Sequence, residues 1–436
     1  MRSGNLVTTV ELKVLKPLYY DKFMCIGAAC EENCCIRPWQ IVIDKKTYIK
    51  YRNSKDPEFR KKIEKCVKRM RGETASDTRY AEFVFGNGGR CPFQTQEGLC
   101  EIHRDLGPEY LCRTCLVYPR SVRTISKEKE YHEFSISMSC PQAVRVALFD
   151  TEPMEFTAEM VEYKLNDTLI QLIEWPFEGE VKTQYLKHGW AMREAAITIM
   201  QNRSCPLPHR MIIIAMMLND AVKLHDEGNP DGIPATLGRY SQAVYGNEFT
   251  QGLEDIGANE KIRRKMHALM YYTISSKASI SPDTVYGELT RLFRGNAGLP
   301  DPKSPDADQT KDMQEFFAHT VHTMELNWGD FMENWGHVLE NYLVNFMFSE
   351  LFPLRYHDKG LDPYHHTFVL AEQYALLKML LCGNLPAGER FSKQYITRIM
   401  SHVAEVNQHS MAPLRIVENF KAAGITSPLH LYNLLF

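Results

Sequence analysis

Four cysteines crowd into the eleven positions of CIGAACEENCC: Cys25, Cys30 and the adjacent pair Cys34 and Cys35. A second stretch, CPFQTQEGLCEIHRDLGPEYLCRTCLVYPR at 91–120, adds Cys91, Cys100, Cys112 and Cys115, and Cys140 follows in SMSCPQA. Thiolates at short loop spacings are the ligands of zinc and of iron–sulfur clusters. Several soft anionic donors must converge on one centre, and a loop carrying two or more of them lowers the ordering cost. An isolated cysteine is usually a small buried hydrophobe, but packing does not account for this density of thiols. The spacing leaves the metal open. Only Cys112-Arg-Thr-Cys115 has the paired CxxC form of a zinc knuckle, the CxxxCxxC triplet of radical enzymes is absent, and ordinary ferredoxin spacings do not fit. His103, in the same stretch, is a weaker ligand candidate that would more simply orient another group.

Ten of the twelve cysteines lie between Cys25 and Cys140, so the thiols belong to one domain and the rest of the chain does something else. At 436 residues the chain exceeds what one core usually supports, about 250–300 residues, which predicts two domains: a cysteine-rich one over 1–150 and a helical one over 151–436. The fold class expected is α+β, a small mixed N-terminal domain followed by a larger all-α domain. In the first, Val7–Leu15, Trp39–Ile43 and His132–Met138 read as extended, and Phe59–Met70 as a helix with Phe59, Ile63, Cys66, Val67 and Met70 on one face. From about residue 153, apolar residues recur every three or four positions. Helices are predicted over Glu159–Trp175, Thr183–Asn202, Pro208–His225, Lys261–Ser275, Asp308–Leu326, Asp330–Leu351, Pro363–Cys382 and Ser392–Asn407. GNPDGIP (228–234) and GNAGLPDPKSPDA (295–307) read as breaks, the second as a long loop.

The formal net charge of −3 shows no bias toward nucleic acid. Asp44–Glu73 is locally basic, with twelve Lys or Arg against five Asp or Glu; a solvated helix face explains this more simply than an anionic partner does. The N-terminus lacks the apolar core of a secretory signal, and the longest apolar runs, such as Met211–Leu218, are too short to span a bilayer. The expected location is the cytoplasm, with peripheral membrane contact left open. There, reduced thiols argue for metal or catalytic use rather than disulfides. Walker and HExxH motifs are absent. FGNGGR at 85–90 follows a strand-like YAEFVF but runs into Cys91-Pro92, so it reads as a turn that positions Cys91, not as a cofactor loop.

FMCIGAACEENCC, the following WQIVID, RCPF with GLCEIHRDLG, CLVYPR, SCPQA and the later ENWGHVLENYLVNFMFSELFP (333–353) together resemble the flagellin lysine-N-methylase family, whose N-terminal domain is of the zinc- or iron-chelating CxxCxxCC class. The resemblance spans most of the chain. It implies methyl transfer from S-adenosylmethionine to flagellin lysines in the bacterial cytosol, with a cysteine-bound [4Fe-4S] cluster. It places thiols at Cys25, Cys30, Cys34, Cys35, Cys91, Cys100, Cys115 and Cys140, more than one cubane needs; Cys112 lies outside the pattern.

Such a transfer needs a neutral amine, whereas free lysine has a pKa of about 10.4. It also needs a surface for a sulfonium cation, for which aromatic faces are suited. Trp335, Tyr342, Phe346 and Phe348 with Glu340, Asn341 and Asn345 supply such groups, and Asn341, Asn345 and Phe348 share a helical face. Asn341, Tyr342 and Asn345 are thus the catalytic candidates, and Trp335, Phe348 and Arg120 the cofactor-binding ones. A helix packed on all sides is the plainer account of the first group, and a structural ion pair of Arg120. Two other functions compete: a zinc-stabilised, non-enzymatic protein-interaction module, and a redox sensor using Cys112 and Cys115 as a dithiol.

Overall fold

The structure is a computed structural model and describes all residues except 1–7, 37–39, 74, 86–89, 125–130, 166–186, 247–251, 253–258, 281–308, 356–359, 386–388 and 409–410. The expected loop at 295–307 lies outside the described residues. The architecture is α+β. A smaller unit comprises 1–143 and 156–173, and a larger one 144–155 and 174–436.

The smaller unit holds two sheets. Strands β1 (Thr8–Pro17), β2 (Val42–Ile43), β3 (Val67–Arg69), β4 (Ala81–Phe83), β5 (Arg120–Thr124), β6 (Tyr131–Ile136) and β7 (Phe156–Leu165) form a four-stranded sheet of order β5-β6-β1-β7 and a three-stranded sheet of order β2-β4-β3. Two helices flank the smaller sheet. Helix α1 (Lys45–Arg52) starts on Asp44, whose side chain accepts from the Thr47 amide; α2 (Pro57–Cys66) starts on Asp56, with Pro57 preset for the first turn. Phe59 and Ile63 of α2 join Tyr51, Phe83, Phe93, Ile102 and Cys112 in an aromatic-rich core, and Cys66, Cys91 and Cys100 pack half-buried against it. The second cysteine stretch is therefore anchored by the same burial that folds the unit.

Two expectations fail here. Phe156–Leu165 is a strand, not the start of a helix over Glu159–Trp175: it pairs antiparallel with β1 along all ten residues. Its Met160, Val161 and Tyr163 fit a three-to-four spacing and a pleat equally, and ladder pairing decides. The helix predicted over Phe59–Met70 ends at Cys66. The β-branched Val67 turns extended and opens β3 against β4.

The larger unit is helical. After α3 (Pro141–Leu148) come α4 (Gly189–Met200), α5 (Leu207–Asp226), α6 (Ile233–Ala243), α7 (Glu260–Ile280), α8 (Gln309–Ser349), α9 (Pro363–Cys382), α10 (Lys393–Gln408), α11 (Ala412–Ala422) and α12 (Pro428–Leu435). Helix α9 is buried on nearly every side, as an apolar-all-round sequence requires. Asp362 caps it and Pro363 fills its first position. Helix α8 runs unbroken where two helices were predicted. Gly329 costs about 1 kcal/mol in a helix interior, but the flanking Trp328 and Phe331 rings stack 6.0 Å apart and Phe331 is fully buried, which holds the turn helical. Among the described residues no helix is long and apolar enough to cross a membrane.

Candidate functional site

The two cysteine stretches are stitched together by hydrogen bonds. The Cys91 amide donates to the Cys35 carbonyl at 2.8 Å. Asn33 spans the same junction: its Nδ2 donates to the Gly98 carbonyl at 2.7 Å, and its Oδ1 accepts from the Cys35 amide at 2.9 Å. Gly98 adopts φ +81°, which glycine tolerates best. The thiols follow the backbone. Cys35 shares hydrogen bonds with Cys34 and Cys91, which raise its pKa well above the ordinary thiol range, whereas the bond from Cys35 lowers that of Cys91. Cys115 is raised by a hydrogen bond with Cys112 and feels Cys34 and Cys91; Cys100 feels the same two. Cys112, outside the family pattern, thus stands beside a thiol within it.

Cys25 and Cys30 are neighbours of Cys140. The Gly27 amide donates to Cys25 Sγ at 3.4 Å, and burial pushes Cys140 up to about 11, with Cys30 and Cys25 as its thiol neighbours. All nine of these thiols lie in the smaller unit. Their donor chemistry suits a thiolate-bound metal or cluster. As they stand, however, no three Cys, His, Asp or Glu side chains among the described residues are placed to share one ion. His103 is exposed on a π turn, Ile102–Leu106. Of the glycine turn, residues 86–89 lie outside the described residues. Among the described residues Arg120 pairs with neither carboxylate nor thiol: it donates to the Phe23 carbonyl at 3.1 Å and lies over the Phe23 ring at 4.9 Å.

The candidates on α8 are buried. Asn341 Nδ2 donates to the carbonyls of Leu148 and Asp150, at 3.1 and 2.9 Å. The Tyr342 hydroxyl donates to Gln373 at 3.1 Å. Asn345 is fully buried. Phe348 lies under the Arg193 guanidinium, 4.8 Å from ring centre, and Trp335 packs edge-on against Phe149. These contacts are those of a helix packed on all sides, the plainer sequence reading.

One turn away, the same helix lines a cleft of about 850 Å³ within the helical unit, and the sequence reading missed it. Trp328, Met332, Gly336 and Glu340 recur every fourth residue along one stripe of α8, with Glu333 and His337 beside them. Tyr374 and Lys378 of α9, Arg203 from the turn before α5, Arg210 from its first turn, and Phe436 complete the wall. That four-residue stripe was the signal available in the sequence; the aromatic positions farther along the helix drew the reading instead. Glu340 is held by Arg210 at 2.6 Å and Arg203 at 2.9 Å. Lys378 lies 4.6 Å above the Trp328 ring, and burial lowers its pKa to about 8. The buried Tyr374 hydroxyl has no hydrogen-bond partner among the described residues. Aromatic faces, two carboxylates and three basic side chains thus surround a space large enough for a nucleoside-sized ligand.

The chain was compared with known proteins. The family described as the FliB lysine N-methylase C-terminal domain matches residues 193–434, which include most of the cleft wall. Lysine-N-methylases from Salmonella typhimurium (strain LT2) and Salmonella choleraesuis (strain SC-B67) are each 21% identical over 436 residues, covering 97% of this chain and 99% of theirs. The flagellar biosynthetic protein FliU of Salmonella muenchen is 30% identical over 145 residues, 33% of this chain and 82% of its own. No solved structure matches the chain.

Proposed function

The chain belongs to the family of the FliB lysine N-methylase C-terminal domain, and from that premise we propose that it is a protein-lysine N-methyltransferase that uses S-adenosylmethionine to modify flagellin lysines in the cytoplasm. The observation that carries this reading is similarity to two lysine-N-methylases along almost their entire length. The flagellar name of the FliU relative supports flagellin as the acceptor protein.

The cleft suits the chemistry. Trp328 already carries the Lys378 ammonium 4.6 Å over its ring, so an aromatic side chain of this cleft holds a cation. Lys378 lines the same wall, and its positive charge favours the neutral form of an amine placed beside it. We further propose that the thiols of the smaller unit hold a [4Fe-4S] cluster. Cys34, Cys35, Cys91 and Cys115 are the preferred ligands, with Cys112, Cys100, Cys25, Cys30 and Cys140 alongside. Such a cluster would supply one-electron chemistry. Zinc on the same thiols is the alternative and would fit a non-enzymatic module.

Co-expression tests the reading. Flagellin made with this chain should gain lysines heavier by one or more methyl groups; flagellin made without it should not. Identical flagellin in both cultures would overturn the assignment. Iron, sulfide and zinc content of the chain purified without oxygen would separate cluster from zinc.

A further inference from the structure

Methylation of a lysine at neutral pH leaves one requirement unmet by the groups described so far: something must take the ammonium proton. Of the side chains lining the cleft, Glu340 is engaged by two arginines, and Lys378 donates to the main-chain oxygens of Leu435 and Phe436. His337 and Glu333 differ. They stand one helical turn apart on α8, both line the cleft, and among the described residues no hydrogen bond or ion pair ties either side chain. His337 is half-buried and Glu333 exposed.

We propose that His337 is the catalytic base of this cleft, taking the proton from an acceptor lysine ammonium that the Glu333 carboxylate draws in. The inference rests on the methyltransferase reading and assigns a residue to it. In the step, the Nζ–H bond of the ammonium breaks and its proton passes to an imidazole nitrogen. The freed lone pair forms the N–C bond to the methyl carbon, the S–C bond of the sulfonium donor breaks, and that electron pair stays on sulfur as a neutral thioether. The imidazolium then returns its proton to solvent through the open cleft.

The surroundings keep the imidazole ready to accept. Burial lowers its pKa below the ordinary histidine value, and Arg203 and Lys393 act in the same direction, against Glu340 and Asp150. Glu333, Arg210 and Lys378 are the remaining charged groups of the cleft. His337 is therefore unprotonated at neutral pH, as a base must be.

The test uses the full chain, flagellin and S-adenosylmethionine. With His337 as base, wild-type kcat/KM falls only on the acid side of the ordinary histidine range and is level through neutral pH; without a base, it climbs tenfold per pH unit toward the lysine pKa of about 10.4. His337→Gln should lose about 100-fold in rate at pH 7, regain it as pH rises, and be partly rescued by added imidazole. Glu333→Gln should raise KM more than it lowers kcat. A readout independent of turnover is the His337 ring resonance, which should move when Nα-acetyl-lysine amide is added to the wild-type protein. A wild-type profile that climbs steadily to pH 10, or a His337→Gln enzyme with the wild-type rate and profile, would overturn the inference while leaving the methyltransferase reading intact. A silent His337 resonance would also overturn it, even if the variant failed to fold. Absence of transfer by the wild type would remove the reading itself and the inference with it.

Discussion

Glu372, on α9, has no exposed surface, and its Oε2 accepts from Gln373 Nε2 at 2.6 Å. Burial raises its pKa to about 8, so the folded protein keeps a proton that the unfolded chain releases above pH about 4.5. The folded state thus binds more protons than the unfolded state between those values, and this group's contribution to stability falls as pH rises from about 4.5 to 8. The full effect is on the order of 5 kcal/mol. Glu372→Gln should remove that slope, so the melting-temperature difference from wild type grows in the variant's favour toward pH 8; a constant difference across the range would contradict the assignment. The Tyr342 hydroxyl ends in the same chain through Gln373. Asn341 has a comparable structural role. Asn341→Ala should lose about 1–3 kcal/mol, because the buried Leu148 carbonyl and the partly buried Asp150 carbonyl lose their donor. Methyl transfer per folded molecule should be unchanged, and a loss of turnover without a loss of melting temperature would return Asn341 to the catalytic candidates.

Two junctions between elements carry the next predictions. Glu340 of α8 joins the start of α5 through Arg210, which also donates to the Cys205 and Met200 carbonyls, at 2.5 and 2.7 Å. Arg210→Met should cost about 3–5 kcal/mol, since it strands part of a buried carboxylate; denaturant unfolding would measure it, and a change under 1 kcal/mol would show that Arg203 alone suffices. In the smaller unit, the Cys35–Cys91 and Asn33–Gly98 bonds join positions 56 and 65 residues apart. Cys34→Ala and Cys35→Ser should lose bound metal, whereas Cys205→Ala, a buried thiol of the helical unit, should retain it. Metal retained in the first two would exclude them as ligands. How much of this was legible follows from period and distance. Pro363–Cys382 was readable because Asp362 and Pro363 mark its start and its apolar residues face every direction. Strand β7 was not, because MVEY satisfies two periods and only its partner β1 chooses. The gathering of thiols could be read from their density. The hydrogen bonds that join them could not, because they depend on how the loop before Cys35 folds back on Cys91, which spacing does not encode.

At the scale of the whole molecule, family membership rests on residues 193–434 of the helical unit, whereas the cysteines that first suggested chemistry lie in the smaller unit. The cleft stripe Trp328, Met332, Gly336 and Glu340 falls within the family match, so the proposed transfer needs no residue of the smaller unit for amine chemistry, and the proposed cluster becomes a separately removable part. Stripping metal should accordingly leave the helical unit's melting temperature unchanged within a few degrees; a collapse of its helical signal would make the thiols structural for the entire chain. The central claim is met most directly by one assay: anaerobically purified protein, unmethylated flagellin and methyl-labelled S-adenosylmethionine, with acid hydrolysis and amino-acid identification of the label. The account predicts labelled N-methyl-lysine. Flagellin that takes up no label on lysine, in the presence of fully loaded and folded protein, would contradict it.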